Sequence, residues 1–280
     1  MTNQHEITKR MPLLNREGNL TEPGWARGLL WDYHRPDIRA SGMRIKEWDY
    51  YFVSNGHIGL ALTIADNGYM GLDSVSYLDF DEKWEITKSP MRLLPMGKTA
   101  LPETSAAGSS EIARGGYALA FYHDDDGTRK LTFHMDKFRG KDAIEGMISL
   151  SDEPAESMVI ATPFEKSGHF YYNQKINCMR AAGWIELGGA RVELEPETWF
   201  AVLDWGRGVW TYHNTWYWGS ASGELDGVPF GWNIGYGFGD TSAASENVLF
   251  YGGKIHKLSQ VRFEIPMQDG KEDYLARWRF

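Results

Sequence analysis

The chain has 280 residues, enough for one large β domain or two of ordinary size with a substantial core. Its formal net charge of -9 argues against nucleic acid or an anionic membrane as the main partner, and leaves a small neutral or cationic ligand open. The single cysteine, Cys178, excludes an intrachain disulfide, and no segment approaches the roughly 20 consecutive apolar residues that span a bilayer. Because residues 1–10 also lack the apolar run of a secretion signal, we expect a cytoplasmic protein.

Strand patterns dominate the chain, and helical periodicity is nearly absent. Alternating or β-rich runs occupy residues 44–54, 57–65, 69–80, 117–122, 130–138, 143–150 and 158–162. Two-residue hairpin sequences recur at Asn55-Gly56, Gly188-Gly189, Asp226-Gly227 and Gly252-Gly253. The pattern predicts an all-β, antiparallel protein.

Breaks between the runs indicate how the chain is divided. Residues 151–157, with Pro154, are the best candidate linker, so we expect one β domain over 1–155 and a second over 156–280. Residues 98–116 are rich in Ala, Ser, Thr and Gly and predict a mobile loop. Residues 274–280 read as the start of a strand without a partner, so the second domain is expected to be incomplete.

The most unusual segment is 203–240, where five tryptophans lie among nine glycines. A hairpin closed by Asp226-Gly227 places Trp218 opposite Gly235 and Trp216 opposite Gly237. One face would then be a groove with a glycine floor and indole walls, with amides from Asn214 and Asn233. Alternatively, the indoles merely cover glycines whose backbone would otherwise be exposed.

Residues 169–178 alternate so that polar or amphipathic side chains share one strand face. That set is His169, Tyr171, Asn173, Lys175 and Asn177. On an exposed strand the pattern is ordinary, whereas inside a barrel it would line a lumen able to hydrogen-bond a ligand.

Asp204 follows an apolar run, 199–203, so its carboxylate is expected inside the fold or at its mouth. Burial would raise its pKa and a nearby Arg207 would lower it. A protonated carboxyl in an aromatic pocket can protonate an alkene or ether, and tryptophan faces can stabilise the resulting cation. The alternative is a structural Asp204–Arg207 pair between strands. Turn geometry explains most of the other acidic candidates, namely Asp66, Asp240 and Glu246.

Several familiar sites are not predicted. The eight histidines lack zinc-ligand spacing, and 235–239 is not a dinucleotide-binding loop because no helix pattern follows it. Residues 219–223 do not fit a nucleophile elbow. We therefore expect no obligatory metal and no cofactor.

Seven segments together resemble a known family. They are 12–14, 22–26, 45–51, 65–71, 160–164, 171–178 and 203–247, and they are similar to the bacterial domain of unknown function 2804 family over essentially the whole chain. Members of that family continue beyond the point where this chain stops. The family name implies no activity.

A more distant resemblance concerns Leu203-Asp204-Trp205-Gly206 and the aromatic hairpin after it. This region is similar to the Asp-x-x-Trp-Gly region of carotenoid-hydratase-like proteins, which include hydratases, cyclases and lipid binders. That resemblance implies two lipocalin-like β-barrel or sandwich units and an acid role for Asp204. Here, however, the aspartate is adjacent to Trp-Gly, so the spacing differs from the pattern.

Three functional hypotheses follow. The first is a cofactor-independent lyase, hydratase or isomerase acting on a hydrophobic small molecule, with Asp204 as proton donor tuned by Arg207. The second is a non-catalytic carrier of a lipid or terpenoid, and the third is carbohydrate binding or cleavage. The predicted ligand-binding residues are Tyr171, Asn173, Lys175, Trp205, Asn214, Trp216, Trp218, Asn233, Tyr236 and Asp240.

Overall fold

The computed structural model describes residues 4–124 and 126–280, and strands make up nearly all of their regular structure. The prediction of an all-β protein is confirmed. The described strands are β1 (Met11–Pro12), β2 (Gly24–Ala26), β3 (Trp31–Asp32), β4 (Lys46–Ser54), β5 (Ile58–Asp66), β6 (Met70–Asp79), β7 (Trp84–Lys88), β8 (Met91–Leu93), β9 (Gly108–Arg114), β10 (Tyr117–His123), β11 (Arg129–Arg139), β12 (Asp142–Ser151), β13 (Met158–Pro163), β14 (Phe170–Leu187), β15 (Ala190–Leu194), β16 (Phe200–Val209), β17 (Tyr217–Leu225), β18 (Val228–Tyr236), β19 (Val248–Tyr251), β20 (Lys254–Lys257), β21 (Met267–Gln268) and β22 (Lys271–Glu272). A short 3₁₀ helix covers Arg35–Asp37.

Most strands belong to one large antiparallel sheet. Its main order is β7-β6-β5-β4-β16-β14-β12-β11-β10-β9, with β13 and β15 also paired to β14. The sheet curls around its inner face, because Tyr51 on β4 packs against Phe121 on β10 although four strands separate them (ring centroids 5.1 Å apart). Within the described residues the edge strands β7 and β9 do not pair, so the sheet is open rather than a closed barrel.

A second sheet, in the order β17-β18-β19-β20, covers part of the outer face of the large sheet. A separate apolar cluster lies between the two sheets and includes Trp25, Tyr171, Phe238 and Phe250. The two sheets therefore form a sandwich-like layer over the first half of β14. Strand β14 changes partners along its length, and Cys178, at φ +66°, lies where its register with β16 shifts.

All four predicted hairpin sequences join neighbouring strands. Asp226 and Gly227 have φ values of +53° and +75°, the left-handed geometry that a tight hairpin turn requires. The predicted register is confirmed for Trp218 opposite Gly235. The predicted pairing of Trp216 with Gly237 is wrong. The ladder of β17 and β18 begins at Tyr217, because the chain bends at Gly237 (φ +90°).

The loop predicted over 98–116 is wrong in its second half, because β9 pairs with β10 along its full length. The division near residue 155 stays a prediction, although the large sheet crosses that position: β4 pairs with β16, and β12 with β14. In the segment 274–280, Arg279 forms an isolated bridge with Glu264. Within the described residues, no helix has the length and apolar character needed to cross a membrane.

Candidate active site

A cavity of about 410 Å³ lies between the outer face of the large sheet and the hairpin β17–β18 with its flanking segments. Most of its lining is aromatic or aliphatic, with a small charged group at one place. The lining residues are Trp48, Tyr50, Thr63, Ala65, Asn67, Leu72, Tyr171, Lys175, Asp204, Trp210, Trp216, Trp218, Phe238 and Glu246. Such a mainly apolar lining with few polar groups is typical of small-molecule sites.

Strand pairing explains why distant residues meet on the cavity floor. In the ladder of β14, β16 and β4, Lys175 lies opposite Asp204, which lies opposite Tyr50. Residues directly opposite each other share a sheet face, so all three side chains point to the cavity. Two positions along, Gly206 lies opposite Trp48, and the missing side chain leaves room for the indole.

The charged group consists of Lys175 between two carboxylates. The Lys175 ammonium lies 2.5 Å from Asp204 Oδ2 and 3.2 Å from Glu246 Oε2. Burial acts to lower the pKa of Lys175, but the charges of Asp204 and Glu246 and their hydrogen bonds outweigh it, so the pKa is raised. Lys175 therefore stays protonated, and its Nζ also lies 5.1 Å from the centre of the Trp218 ring.

Neighbouring side chains fix both carboxylates in place. Asn173 Nδ2 donates to Asp204 Oδ1 at 2.6 Å, and Trp48 Nε1 donates to the same oxygen at 3.2 Å. Asn233 Nδ2 donates to Glu246 Oε2 at 3.0 Å. The Asp204 side chain is still 14% exposed, so a molecule in the cavity can reach it.

Two tyrosines add hydroxyl groups to the cavity. Within the described part of the chain, neither Tyr50 nor Tyr171 has a hydrogen-bond partner for its hydroxyl. Burial, followed by the negative charge of Asp204, raises the pKa of both phenols. Both hydroxyls therefore remain protonated and can donate to a ligand.

Arg207 does not contact Asp204, contrary to the prediction of a tuning pair. It points to the inner face of β16, where its guanidinium lies 3.0 Å from Asp49 Oδ1. Trp205 is also on the inner face and packs against Tyr33 and Tyr172. The physical reason is strand alternation, which places residues one or three apart on opposite faces. Lys175 takes the position expected for Arg207.

Five other predicted ligand residues lie outside the cavity lining, and among them Asn173 is fully buried but bonds to the lining carboxylate of Asp204. Asn214 hydrogen-bonds within its own loop, to Thr211. Asn233 is fully buried behind the lining, where it accepts from Trp218 Nε1 at 2.8 Å. Tyr236 packs on the far side of the hairpin against Tyr217, and Asp240 is exposed. The structure thus brings together Tyr171, Asn173, Lys175, Asp204, Trp216 and Trp218 from the predicted set.

The glycines of the hairpin do not form a ligand floor. A Cβ placed on Gly235 would meet Glu246 Oε1 at 2.4 Å, and one on Gly237 would meet the Thr215 carbonyl oxygen at 2.5 Å. Gly235 therefore makes room for the Glu246 carboxylate. The indole of Trp218 nevertheless forms a cavity wall, as the groove interpretation expected for that residue.

The sequence prediction missed Trp48 and Tyr50 and ranked Glu246 low. The alternation in β4 would have placed Trp48 and Tyr50 on one face of the sheet. It would not have shown which strand lies beside β4. Among the described residues, no group of three or more His, Cys, Asp or Glu side chains is arranged to hold a metal ion.

Comparisons with known proteins agree with the fold. The family model described as "Domain of unknown function (DUF2804)" matches residues 4–280. A protein from Nitrosomonas europaea, provisionally assigned as AttH, superimposes with a TM-score of 0.51 at 13% identity, covering 79% of this chain and 71% of that one. Kievitone hydratase from Nectria haematococca gives a TM-score of 0.41 at 8% identity, covering 94% and 74%. Comparison with curated proteins gives no match.

Proposed function

The chain belongs to the domain of unknown function 2804 family, and we propose that it is a cofactor-independent lyase, hydratase or isomerase acting on a hydrophobic small molecule. The observation that carries the proposal is the Asp204 carboxylate, which reaches into a cavity of about 410 Å³ walled by aromatic rings. A mainly apolar cavity with an accessible carboxyl group suits proton transfer to or from carbon.

The aromatic walls support a hydrophobic substrate. Trp48 stacks on Tyr171, with ring centroids 5.9 Å apart, and Trp210 meets both rings edge-on. Large fixed ring faces bind apolar molecules by burial, and they attract positive charge that develops during protonation. The same walls can therefore hold the ground state and stabilise a cationic transition state.

The chemistry proposed for hydration begins when the substrate excludes bulk water and the Lys175 ammonium passes a proton to the Asp204 carboxylate, 2.5 Å away, which yields protonated Asp204. Its proton passes to one alkene carbon, water adds to the cationic neighbouring carbon, and the resulting oxonium returns a proton to the Asp204 carboxylate. The reverse order eliminates water from an alcohol. Lys175 takes the tuning role expected for Arg207, and its hydrogen bonds connect Asp204 to Glu246, which offers a route for the proton between the two carboxylates.

A non-catalytic carrier of a lipid or terpenoid is the second candidate. The predominance of aromatic side chains in the cavity favours it as much as it favours an enzyme. Carbohydrate cleavage has less support, because Lys175 lies between Asp204 and Glu246 and binds both carboxylates.

The test begins with the ligand. Mass spectrometry of small molecules released from freshly purified protein would name a compound class to assay. We expect Asp204→Asn to lower turnover by roughly 10²- to 10⁴-fold while ligand binding survives, because an amide keeps the shape but cannot exchange the proton. The control is Asp81→Asn, whose side chain is 64% exposed and paired with His57.

Each outcome separates the candidates. Lost turnover with retained binding supports proton transfer by Asp204. Normal turnover in Asp204→Asn would make Asp204 structural. Ligand binding without turnover in the unmodified protein, across the compound class, would favour the carrier.

A further inference from the structure

Two basic side chains, Arg44 and Lys46, contact residues that line the cavity and form what we call its rim. Lys46 lies on the same face of β4 as Trp48 and Tyr50, opposite Gly208 of β16. Lys46 lies four positions before Tyr50, which at about 3.3 Å per residue places it roughly 13 Å along the strand from the level of Asp204. Arg44 lies two positions before Lys46, the first residue of the strand.

Both side chains donate hydrogen bonds to uncharged backbone carbonyl oxygens of cavity-lining residues. Lys46 Nζ donates to the Asn67 carbonyl oxygen at 2.6 Å, and Arg44 donates to the Trp210 carbonyl oxygen at 2.5 Å. Each also lies over a tyrosine ring, Tyr69 for Lys46 and Tyr212 for Arg44. These contacts fix both cations at the rim while leaving donor hydrogens unused.

Neither cation forms an ion pair with a carboxylate among the residues that the structure describes. Asp66, whose negative charge acts on Lys46, is fully buried and accepts hydrogen bonds from Gly68, Gly97 and Thr99. In a chain of net charge -9, such a concentration of unpaired positive charge is unusual.

The cations also repel each other. Burial, followed by the charge of Arg44 and opposed by Asp66, lowers the pKa of Lys46 to about 8. Burial, then Lys166 and Arg44, lowers the pKa of His169 beside them. An anion placed between Arg44 and Lys46 would relieve this repulsion, which gives the rim a physical preference for negative charge.

We propose that Arg44 and Lys46 bind the carboxylate or phosphate head of an amphipathic ligand whose apolar body extends past Trp48 to Asp204. The inference rests on the proposed function, since it assumes that the cavity takes a hydrophobic molecule. It defines the substrate class as anionic at one end, with its reactive carbon some distance from that end. It also gives the ligand a fixed direction in the cavity.

The test compares probes that share one alkyl chain. Dodecanoate, dodecyl phosphate and dodecan-1-ol are titrated into the full chain by calorimetry, the anions below their critical micelle concentrations and the alcohol below its solubility limit. We expect at least one anionic probe to bind roughly 10- to 100-fold more tightly than the alcohol, because hydrogen bonds between charged groups are the stronger ones. The anion that binds more tightly identifies the head group. Added salt should weaken the binding of the two anions but not that of the alcohol.

Matched variants separate the rim from the cavity. The double variant Arg44→Gln, Lys46→Gln should lose the preference for the anion while binding dodecan-1-ol as before. The double variant Arg114→Gln, Lys141→Gln removes two exposed charges elsewhere and should change neither affinity.

Equal affinity for the alcohol and both anions in the unmodified protein would overturn the anion site but leave the cavity intact. Loss of dodecan-1-ol binding in the Arg44→Gln, Lys46→Gln variant would also overturn it, since the rim would then be structural. Failure of all three probes to bind would overturn the inference for alkyl ligands. The proposed function fails separately, on normal turnover in Asp204→Asn.

Discussion

Two clusters of charged side chains lie on opposite faces of the same strands. On the inner face, Arg207 lies between Asp49 and Glu47, with nitrogen–oxygen distances of 3.0 and 3.7 Å. On the outer face, Lys175 lies between Asp204 and Glu246 at 2.5 and 3.2 Å. In each cluster one cation lies between two carboxylates, and on the inner face Arg35 is a second cation, paired with Glu47. Only the outer one borders the cavity of about 410 Å³.

The surroundings of the clusters differ more than their composition. Arg207 is completely buried and also donates to the carbonyl oxygens of Trp48 and Pro102, so its charge links strands and a loop. Lys175 is equally buried, but its partner Asp204 remains partly exposed to the cavity. A closed cluster can only stabilise or specify the fold, whereas an open one can also exchange protons with a ligand. Access, rather than charge, distinguishes the two.

The largest effect is expected from Arg207→Met. Removing the Arg207 cation leaves the buried Asp49 carboxylate with Ser110 as its side-chain partner. Glu47, in contrast, keeps Arg35 and Tyr33. Breaking a buried ion pair in this way typically costs about 3–5 kcal/mol. The free energy of unfolding from urea titration measures this loss. The control is Arg139→Met, which breaks an exposed pair with Asp142 and should cost less than about 1 kcal/mol. Similar values for the two variants would contradict the view that the inner cluster is structural.

A smaller loss is expected from Lys175→Met, about 2–3 kcal/mol, because water in the cavity can solvate the Asp204 carboxylate. The raised pKa of Lys175 also fixes a pH dependence. Its contribution to stability is complete below the ordinary lysine pKa of about 10.4 and is lost as pH rises through the higher folded value. Urea titrations from pH 7 to 11 should therefore show an alkaline loss in the unmodified protein that is smaller in Lys175→Met. If Lys175→Met lowers the free energy of unfolding as much as Arg207→Met does, the outer cluster is as closed to water as the inner one.

Local patterns predicted much of the fold. The turn at Asp226-Gly227 and the pairing of Trp218 with Gly235 depend only on adjacent residues, and both are confirmed. The apolar run before Asp204 correctly indicated that its carboxylate lies inside the molecule. The strand 108–114 was missed because its small polar residues suit a loop equally well, and its pairing with β10 decides the outcome.

The composition of the two clusters could not be predicted in the same way. Arg207 is close to Asp204 in sequence, but strand alternation sends the two side chains to opposite faces. The true neighbours of Asp204 come from β14 and β4, and β4 lies about 150 residues earlier in the chain. Which strands adjoin is a long-range property that a single sequence does not display. Glu246 is a further case, since its place depends on the space left by Gly235.

The smallest effect on stability is expected from Gly206→Ala. Gly206 lies on the same face of β16 as Asp204, opposite Trp48. A Cβ on Gly206 would meet Trp48 Cζ2 at 2.2 Å, so in Gly206→Ala the indole must move toward the cavity. Overpacking of this kind costs about 1–2 kcal/mol, because the ring can shift into open space. The shift would break the bond from Trp48 Nε1 to Asp204 and narrow the cavity, leaving the inner cluster unchanged. We expect ligand affinity to fall about tenfold, which corresponds to a similar free energy.

Gly223→Ala is the matched control for this substitution. Gly223 also lies within a strand, and a Cβ there meets no heavy atom within 4 Å, so stability should change by less than about 0.5 kcal/mol and affinity not at all. Calorimetry with the ligand and urea titration together measure both effects. If Gly206→Ala lowers stability but leaves affinity unchanged, Trp48 is not part of the binding surface. If it lowers affinity alone, the indole moves freely and the cavity, rather than the sheet, absorbs the added methyl group.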